Sequence, residues 1–314
     1  MNEILLLILG FAALIFGGEL LVRGSVGLAL KAKISPMIIG LTVVSLGTSA
    51  PELFASVQAA LMGKTDIAIG NVIGSNIANF GLVLGITALI FPLPIDRSVL
   101  KKELPLLIIV SLSFLFLSID GGLGLWDGIL LIVGIITFMV FLIVKSIKNH
   151  EAPDDDDDDL AQKARHGFWT LTGLIVFGCL GLYFGSEWFV KGAIVIASKF
   201  GVSDHVIGVT LVAFGTSIPE LAASGIAAFR KQTDISLGNL IGSNVFNILG
   251  VLGATAIINP LEISSDILQH DFIWMFGLTL LLFPMIYFGK KISRFNGLTL
   301  LICYFTYITL LFWK

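Results

Sequence analysis

Shifted by 168 positions, the chain lies on top of itself. Phe16–Asp96 aligns with Phe184–Ser264 without a gap, and about half of the aligned residues are identical. The phrase "GTSAPEL" at Gly47–Leu53 falls on "GTSIPEL" at Gly215–Leu221, and "GNVIGSNIAN" at Gly70–Asn79 falls on "GNLIGSNVFN" at Gly238–Asn247. Apolar segments can share composition by chance, but not an ungapped register of polar residues, so the two halves are copies. How many times each copy crosses a membrane then decides how the halves are disposed.

Composition supplies that number. Of the 314 residues, 56% are hydrophobic and only 13% charged, and the mean hydropathy is +0.97. A water-soluble domain of this length has no interior large enough for so much apolar surface, so lipid is the expected solvent. Ten apolar segments are read at 3–28, 36–62, 68–92, 104–119, 123–145, 168–195, 204–229, 235–259, 270–289 and 296–312. Most reach the roughly 20 residues that a helix needs to cross about 30 Å of hydrocarbon. The runs are too long and continuous for barrel strands. Five spans per copy is an odd number, so the second copy enters the membrane from the opposite side, an inverted-topology repeat. The expected fold is an all-α membrane protein of ten transmembrane helices in two inverted five-helix repeats, 1–147 and 168–314. An acidic cytoplasmic linker, 148–167, joins them.

The opening "MNEILLLILGFAALIFGG" has neither a basic leader nor a convincing cleavage site and reads as a retained first helix. Cys179 and Cys303 fall inside spans and read as packing residues rather than a disulfide or a metal pair. With the N-terminus outside, the odd-numbered loops collect Lys31, Lys33, Arg97, Lys101, Lys102, Lys145, Lys148, Lys163, Arg165, Arg230, Lys231, Lys290, Lys291 and Arg294. The opposite side keeps Lys64, Lys199 and Lys314. Positive charge favours the cytoplasmic face, so the expectation is a protein of the cell's inner membrane with both termini outside the cytoplasm. Trp126, Trp169 and Trp313 suit headgroup anchoring. The run Asp154–Asp159 lacks the turn glycine and terminal glutamate of a calcium-binding loop and reads as a solvated linker.

The repeated phrases sit where charge is expensive. Pro51 has no N–H for the carbonyl of Gly47 and disfavours helical geometry at Ala50, so the second span is predicted to break near Gly47–Pro51. Pro219 predicts the same beside Gly215 in the seventh span. Backbone carbonyls freed in hydrocarbon need a protein-enclosed cavity or a ligand. Glu52 and Glu220 also lie in mid-span, where an ionisable group marks an ion path. Thr48 stands four residues before Glu52 and Ser49 three, and Ser75 and Asn79 are four apart in the third span. The second copy repeats them as Thr216, Ser217, Glu220, Ser243 and Asn247. Gly70, Gly74, Gly238 and Gly242 allow close helix packing beside these polar faces. Folding the two copies together is expected to bring both carboxylates to one point, with helices 2, 3, 7 and 8 broken around a central ion site. No thiolate or imidazole is placed to join these donors. A cage of hard oxygens with two charges suits Ca²⁺ or Na⁺ better than zinc or copper.

At these residues the sequence resembles the calcium/cation antiporter superfamily, and in particular its prokaryotic sodium/calcium exchanger branch. The resemblance covers essentially the whole chain, through "GTSAPE", "GTSIPE" and the two "GN-x-x-GSN" segments. It implies that the second, third, seventh and eighth helices enclose the ion sites while the first and sixth slide across them. The implied ligands are Thr48, Ser49, Glu52, Ser75 and Asn79 from one copy and Thr216, Ser217, Glu220, Ser243 and Asn247 from the other. The backbone carbonyls of Ser45 and Ala213 complete the set. Some family members carry aspartate where this chain has Asn247, so the site here holds about two negative charges rather than three. That predicts fewer Na⁺ per Ca²⁺, or H⁺ in place of Na⁺.

The implied activity is exchange of Ca²⁺ for Na⁺ by alternating access, with a Ca²⁺/H⁺ antiporter as the alternative on the same fold. A cation channel is remoter, because filters arise from rings of identical subunits rather than one inverted pair. An intramembrane enzyme is not expected, since neither Ser49 nor Ser217 has a histidine or lysine partner at a repeated position or a nucleophile elbow. No catalytic residue, cofactor or nucleic-acid partner is expected. The partners are the transported cations and the lipid bilayer, and the chain is expected to work as a monomer. Glu19–Arg23 and Glu187–Lys191 read as intrahelical ion pairs, and His205 as an interfacial residue rather than a proton relay.

Overall fold

A computed structural model of the chain describes residues 3–95, 98–149, 167–200 and 215–312. His205, Ala213, Trp313 and Asp154–Asp159 lie outside the described residues. In chain order the helices are α1 (Glu3–Ala32), α2 (Pro36–Thr48), α3 (Ala50–Leu61), α4 (Thr65–Ile90), α5 (Glu103–Leu117) and α6 (Leu125–Asn149). They continue as α7 (Phe168–Lys199), α8 (Ile218–Phe229), α9 (Thr233–Ile258), α10 (Ile267–Gly289) and α11 (Arg294–Phe312). Among the described residues seven helices are long and apolar enough to cross a membrane, and an eighth if α2 and α3, bent by 45° at Ser49, form one span. Of the remaining expected spans, 104–119 becomes the 15-residue α5, and the described part of 204–229 contains the 12-residue α8.

Two details depart from the expected breaks. The interruption between α2 and α3 is a single residue: Ser49 leaves helical geometry (φ −88°, ψ 7°), while Ala50 is already helical. Pro51 thereby occupies the first turn of a new helix, where its missing N–H would have had no intrahelical partner. Ser217 has the same conformation (φ −88°, ψ 0°) ahead of α8. The third and eighth spans do not break at all. Neither α4 nor α9 contains a proline, and each runs through a π-helical stretch instead, Asn79–Leu84 and Asn247–Leu252. Such a stretch widens the helix by one residue and still keeps the backbone bonded.

The chain divides into two compact units, and neither is a repeat. One contains Met1–Thr48 and Leu142–Asn239, the other Ser49–Phe141 and Leu240–Lys314, so each draws on both copies.

In the first unit α1 and α7 pack through matched glycines. Gly10, Gly17 and Gly24 recur every seventh residue on α1, and Gly178, Gly185 and Gly192 do so on α7. A Cβ on Gly17 would stand 2.7 Å from the Leu182 nitrogen, and one on Gly178 2.6 Å from the Leu21 nitrogen. Backbone meets backbone, which is how helices associate when lipid removes the hydrophobic drive. Leu14, Leu21, Val22 and Leu182 close the seam on either side. The start of α9 lies equally close to α2, since a Cβ on Gly238 would be 2.5 Å from the Met37 carbonyl oxygen. Glu19 of α1 bonds Arg23 within its own helix, as the sequence suggests, and is also gripped by Arg230 beyond the end of α8. The Arg230 fork places Nε 2.9 Å from Oε2 and Nη2 2.8 Å from Oε1. At the position matching Arg230 the first copy has Met62.

In the second unit the repeats exchange partners. A Cβ on Gly297 would be 2.7 Å from the Gly85 carbonyl oxygen, so α11 packs on α4. One on Gly128 would be 2.7 Å from the Gly253 carbonyl oxygen, so α6 packs on α9. The third helix of each copy therefore rests on the last helix of the other. Two antiparallel ladders cap opposite ends of α5 and α10: β1 (Leu93–Pro94) with β4 (Lys291–Ile292), and β2 (Gly122–Leu123) with β3 (Leu261–Glu262). Lys290, Lys291 and Arg294 lie in or next to the first ladder along the chain, and Asp120, Asp127 and Glu262 in or next to the second.

Candidate functional site

Both repeated phrases do the same local work. A serine leaves the helix, and the chain restarts on x-Pro-Glu, so Glu52 is the third residue of α3 and Glu220 the third of α8. There a carboxylate lies by amide N–H groups that no helical carbonyl can use and at the positive end of the helix dipole, which lowers the cost of burying it. Glu52 is 1% exposed and Glu220 0%, so both are withdrawn from lipid and bulk water. Ser-x-Pro-Glu has the spacing of a capping box, but neither Ser49 nor Ser217 makes the side-chain bond of one.

The first unit holds Ser45, Thr48, Thr216, Ser217 and Glu220 of the expected ligands. Thr216 is half-buried and the others are buried. The Thr48 hydroxyl donates to Asn239 Oδ1 at 3.0 Å and, more weakly, to the Ser45 carbonyl at 3.4 Å. Ser217 Oγ is buried with no hydrogen-bond partner among the described residues. Cys179 is a packing residue, as expected from the sequence. It projects from α7 onto the repeated phrase, where a Cβ added to Gly47 would collide with its Sγ at 2.3 Å. Gly47 is the notch that receives this half-buried thiol.

The second unit holds Ser49, Glu52, Ser75, Asn79, Ser243 and Asn247, all buried. Three helices are tied together around them by asparagine side chains. Asn71 Nδ2 of α4 donates to the Glu52 carbonyl of α3 at 3.2 Å and to Ser56 Oγ at 2.9 Å. Asn247 Nδ2 of α9 donates to Asn76 Oδ1 of α4 at 3.0 Å, and Asn76 Nδ2 donates to the Asn244 carbonyl at 3.4 Å. After these bonds, Asn247 Oδ1 and both amide atoms of Asn79 are buried without a hydrogen-bond partner among the described residues. Asn79 and Asn247 also open the two π-helical stretches.

Buried polar atoms are almost always paired, and an unpaired one inside a membrane protein costs still more. Here several such atoms belong to the repeated phrases, and most are oxygens. Hydroxyl, amide and carboxylate oxygens suit hard cations. Among the described residues no three His, Cys, Asp or Glu side chains gather as they would around a transition metal. The sequence reading names Asn79 and Asn247 but misses Asn71, Asn76, Asn239 and Asn244. The signal for them is in the longer phrases "GNVIGSNIAN" and "GNLIGSNVFN", which hold three asparagines per copy rather than one.

The sodium/calcium exchanger protein family matches the chain over residues 2–144 and 170–313. CaxA of Alkalimonas amylolytica is 41% identical over 312 residues, 97% of each chain. The sodium/calcium exchanger MaX1 of Methanosarcina acetivorans is 31% identical over 343 residues, 98% of each chain. Among solved structures, the sodium-calcium exchanger NCX_Mj soaked with Na⁺ and Ca²⁺ matches with a TM-score of 0.82 and 33% identity, covering 98% of this chain and 99% of that one.

Proposed function

The chain belongs to the sodium/calcium exchanger family of membrane cation antiporters, and from that premise we propose that it exchanges Ca²⁺ for Na⁺ by alternating access, with Glu52 and Glu220 as central ligands. The observation that carries the proposal occurs in both copies. A wholly buried glutamate heads a helix, and buried oxygens of Asn79, Asn247 and Ser217 in the same phrases have no partner among the described residues. In this reading ten spans form two inverted repeats, and their two carboxylates meet in one cage. Thr48, Ser49, Ser75, Asn79, Thr216, Ser217, Ser243 and Asn247 complete it, with the carbonyls of Ser45 and Ala213. Two carboxylates balance one Ca²⁺, two Na⁺ or two H⁺. Asparagine at both 79 and 247 therefore also supports the second reading, Ca²⁺/H⁺ exchange. Either exchange places the protein in the cell membrane. The basic β1–β4 end and the acidic β2–β3 end favour a cytoplasmic first ladder and both termini outside.

Calcium-45 uptake into reconstituted vesicles under an imposed Na⁺ gradient at fixed pH, or an H⁺ gradient without Na⁺, tests the proposal. Wild type should accumulate Ca²⁺ with Na⁺ as the counter-ion. Glu52→Gln and Glu220→Gln should each lower the initial rate by more than about a hundredfold, because removing one of two buried counter-charges costs about 3–5 kcal/mol. Uptake driven only by H⁺ selects the second reading. Uptake that survives both substitutions overturns both readings.

A further inference from the structure

One buried asparagine has both ends of its amide engaged without belonging to the proposed cage. Asn239 follows the first glycine of the second "GN-x-x-GSN", is 0% exposed, and lies between two other wholly buried side chains. Its Nδ2 donates to Ser224 Oγ at 3.0 Å, and its Oδ1 accepts from Thr48 Oγ1 at 3.0 Å. The first copy keeps the same brace, since Asn71 Nδ2 donates to Ser56 Oγ at 2.9 Å, at the matching positions. There the direction of the amide is set twice over. The Ser56 hydroxyl donates to the Ala68 carbonyl at 3.2 Å and so offers Asn71 an acceptor, and the Glu52 carbonyl, 3.2 Å away, can only accept.

A threonine hydroxyl has one proton and two lone pairs. To bind a cation it must turn a lone pair towards the ion and send its proton elsewhere. Near Thr48 stand the Ser45 carbonyl at 3.4 Å and Asn239 Oδ1 at 3.0 Å, and the shorter contact is the better acceptor. With the amide turned over, N–H groups would face Thr48 and occupy the lone pair that a cation needs. The second copy keeps the amide the same way round as the first, with Nδ2 on Ser224 Oγ and Oδ1 towards Thr48.

We infer that Asn239 is a positioning residue of the exchange site: held by Ser224, it takes the Thr48 proton and so aims the Thr48 oxygen at the transported cation. The inference rests on the proposed exchange of Ca²⁺ and deepens it. Residues that orient ligands from behind typically alter metal affinity tenfold or more when removed.

The test is the Ca²⁺ concentration dependence of exchange in reconstituted vesicles for wild type, Asn239→Ala, Thr48→Val, the double variant, and Asn239→Asp. Asn239→Ala should raise the KM for Ca²⁺ about tenfold and leave the maximal rate within about twofold. In the Thr48→Val background, which has no hydroxyl to aim, it should raise KM no further. Asn239→Asp, which keeps an acceptor for the Thr48 proton, should recover most of the lost affinity. An equal rise in KM with and without the Thr48 hydroxyl overturns the inference, and so does an unchanged KM in Asn239→Ala. Should Asn239→Ala fail to reach the membrane, Ser224→Ala serves instead. It leaves the amide free to turn and should raise KM about threefold, and an unchanged value again overturns the inference. Glu52→Gln runs in parallel. If it retains full exchange the site itself is misplaced, whereas its loss alongside an unaffected Asn239→Ala removes only the positioning role.

Discussion

At residue 247 one atom separates a neutral donor from a charged one. Asn247 donates its Nδ2 to Asn76 Oδ1, and its Oδ1 is buried without a hydrogen-bond partner among the described residues. Aspartate there would set oxygen against oxygen until Asn76 turned over and gave up the Asn244 carbonyl and the Met275 sulfur. With two carboxylates in the proposed cage, exchange of one Ca²⁺ for two monovalent ions moves no net charge. We expect wild-type Ca²⁺ uptake to be insensitive to a K⁺/valinomycin potential and Asn247→Asp to become sensitive to it, as a third negative charge recruits another cation. A potential-sensitive wild type would contradict the two-charge count. That both glutamates are withdrawn from lipid was legible in the sequence, because a carboxylate repeated inside an apolar run needs a polar interior. The asparagines behind them were not. Whether an amide binds an ion or braces a neighbour depends on which atoms stand opposite, and Asn239 meets Thr48 and Ser224 only after two helices have packed against the start of α9.

Among the elements, α1 and α7 meet backbone to backbone along a run of matched glycines. Its seven-residue glycine spacing stands plainly in the sequence, yet glycines spread over 15 residues read as unremarkable membrane composition until the facing helix is known. Gly17→Ala places a methyl group 2.7 Å from the Leu182 backbone nitrogen, where no side chain can yield. It should destabilise the protein by about 1–3 kcal/mol. At Gly173 on the same α7, a methyl group would meet no atom of another described element within 4 Å. Gly173→Ala should be neutral or stabilising by up to about 1 kcal/mol through helix propensity alone. Thermal unfolding in detergent distinguishes them, and equal behaviour would remove the case for a backbone-to-backbone seam. The interruptions were only half legible. Proline marks where α2 ends, but helices restart most readily with proline in their first turn, so the break shrinks to Ser49. The π-helical stretches carry no sequence mark, because neighbours rather than propensity select them.

For the whole molecule, the duplication was visible without any structure, and an odd number of spans per copy is what makes the second copy expected to be inverted. The interleaving was not visible. That α4 of one copy rests on α11 of the other, and α9 on α6, depends on glycine contacts far apart in the chain. Orientation can be checked directly. Asp120→Cys, beside the acidic ladder, should react with a membrane-impermeant maleimide on intact cells stripped of their outer barrier. Lys291→Cys, in the basic ladder, should react only after the membrane is opened, and the reverse pattern would turn the protein over.

Two copies of one design, facing opposite ways, would treat inside and outside alike. The Arg230 fork on Glu19 spoils that impartiality, since Met62 at the corresponding place in the first copy has no charge to give. We therefore expect the proposed carrier to prefer one resting side, set by a single guanidinium. Because half of that group is exposed, dissolved ions weaken the preference, and the forward and reverse legs of the cycle should drift towards equality as salt is added.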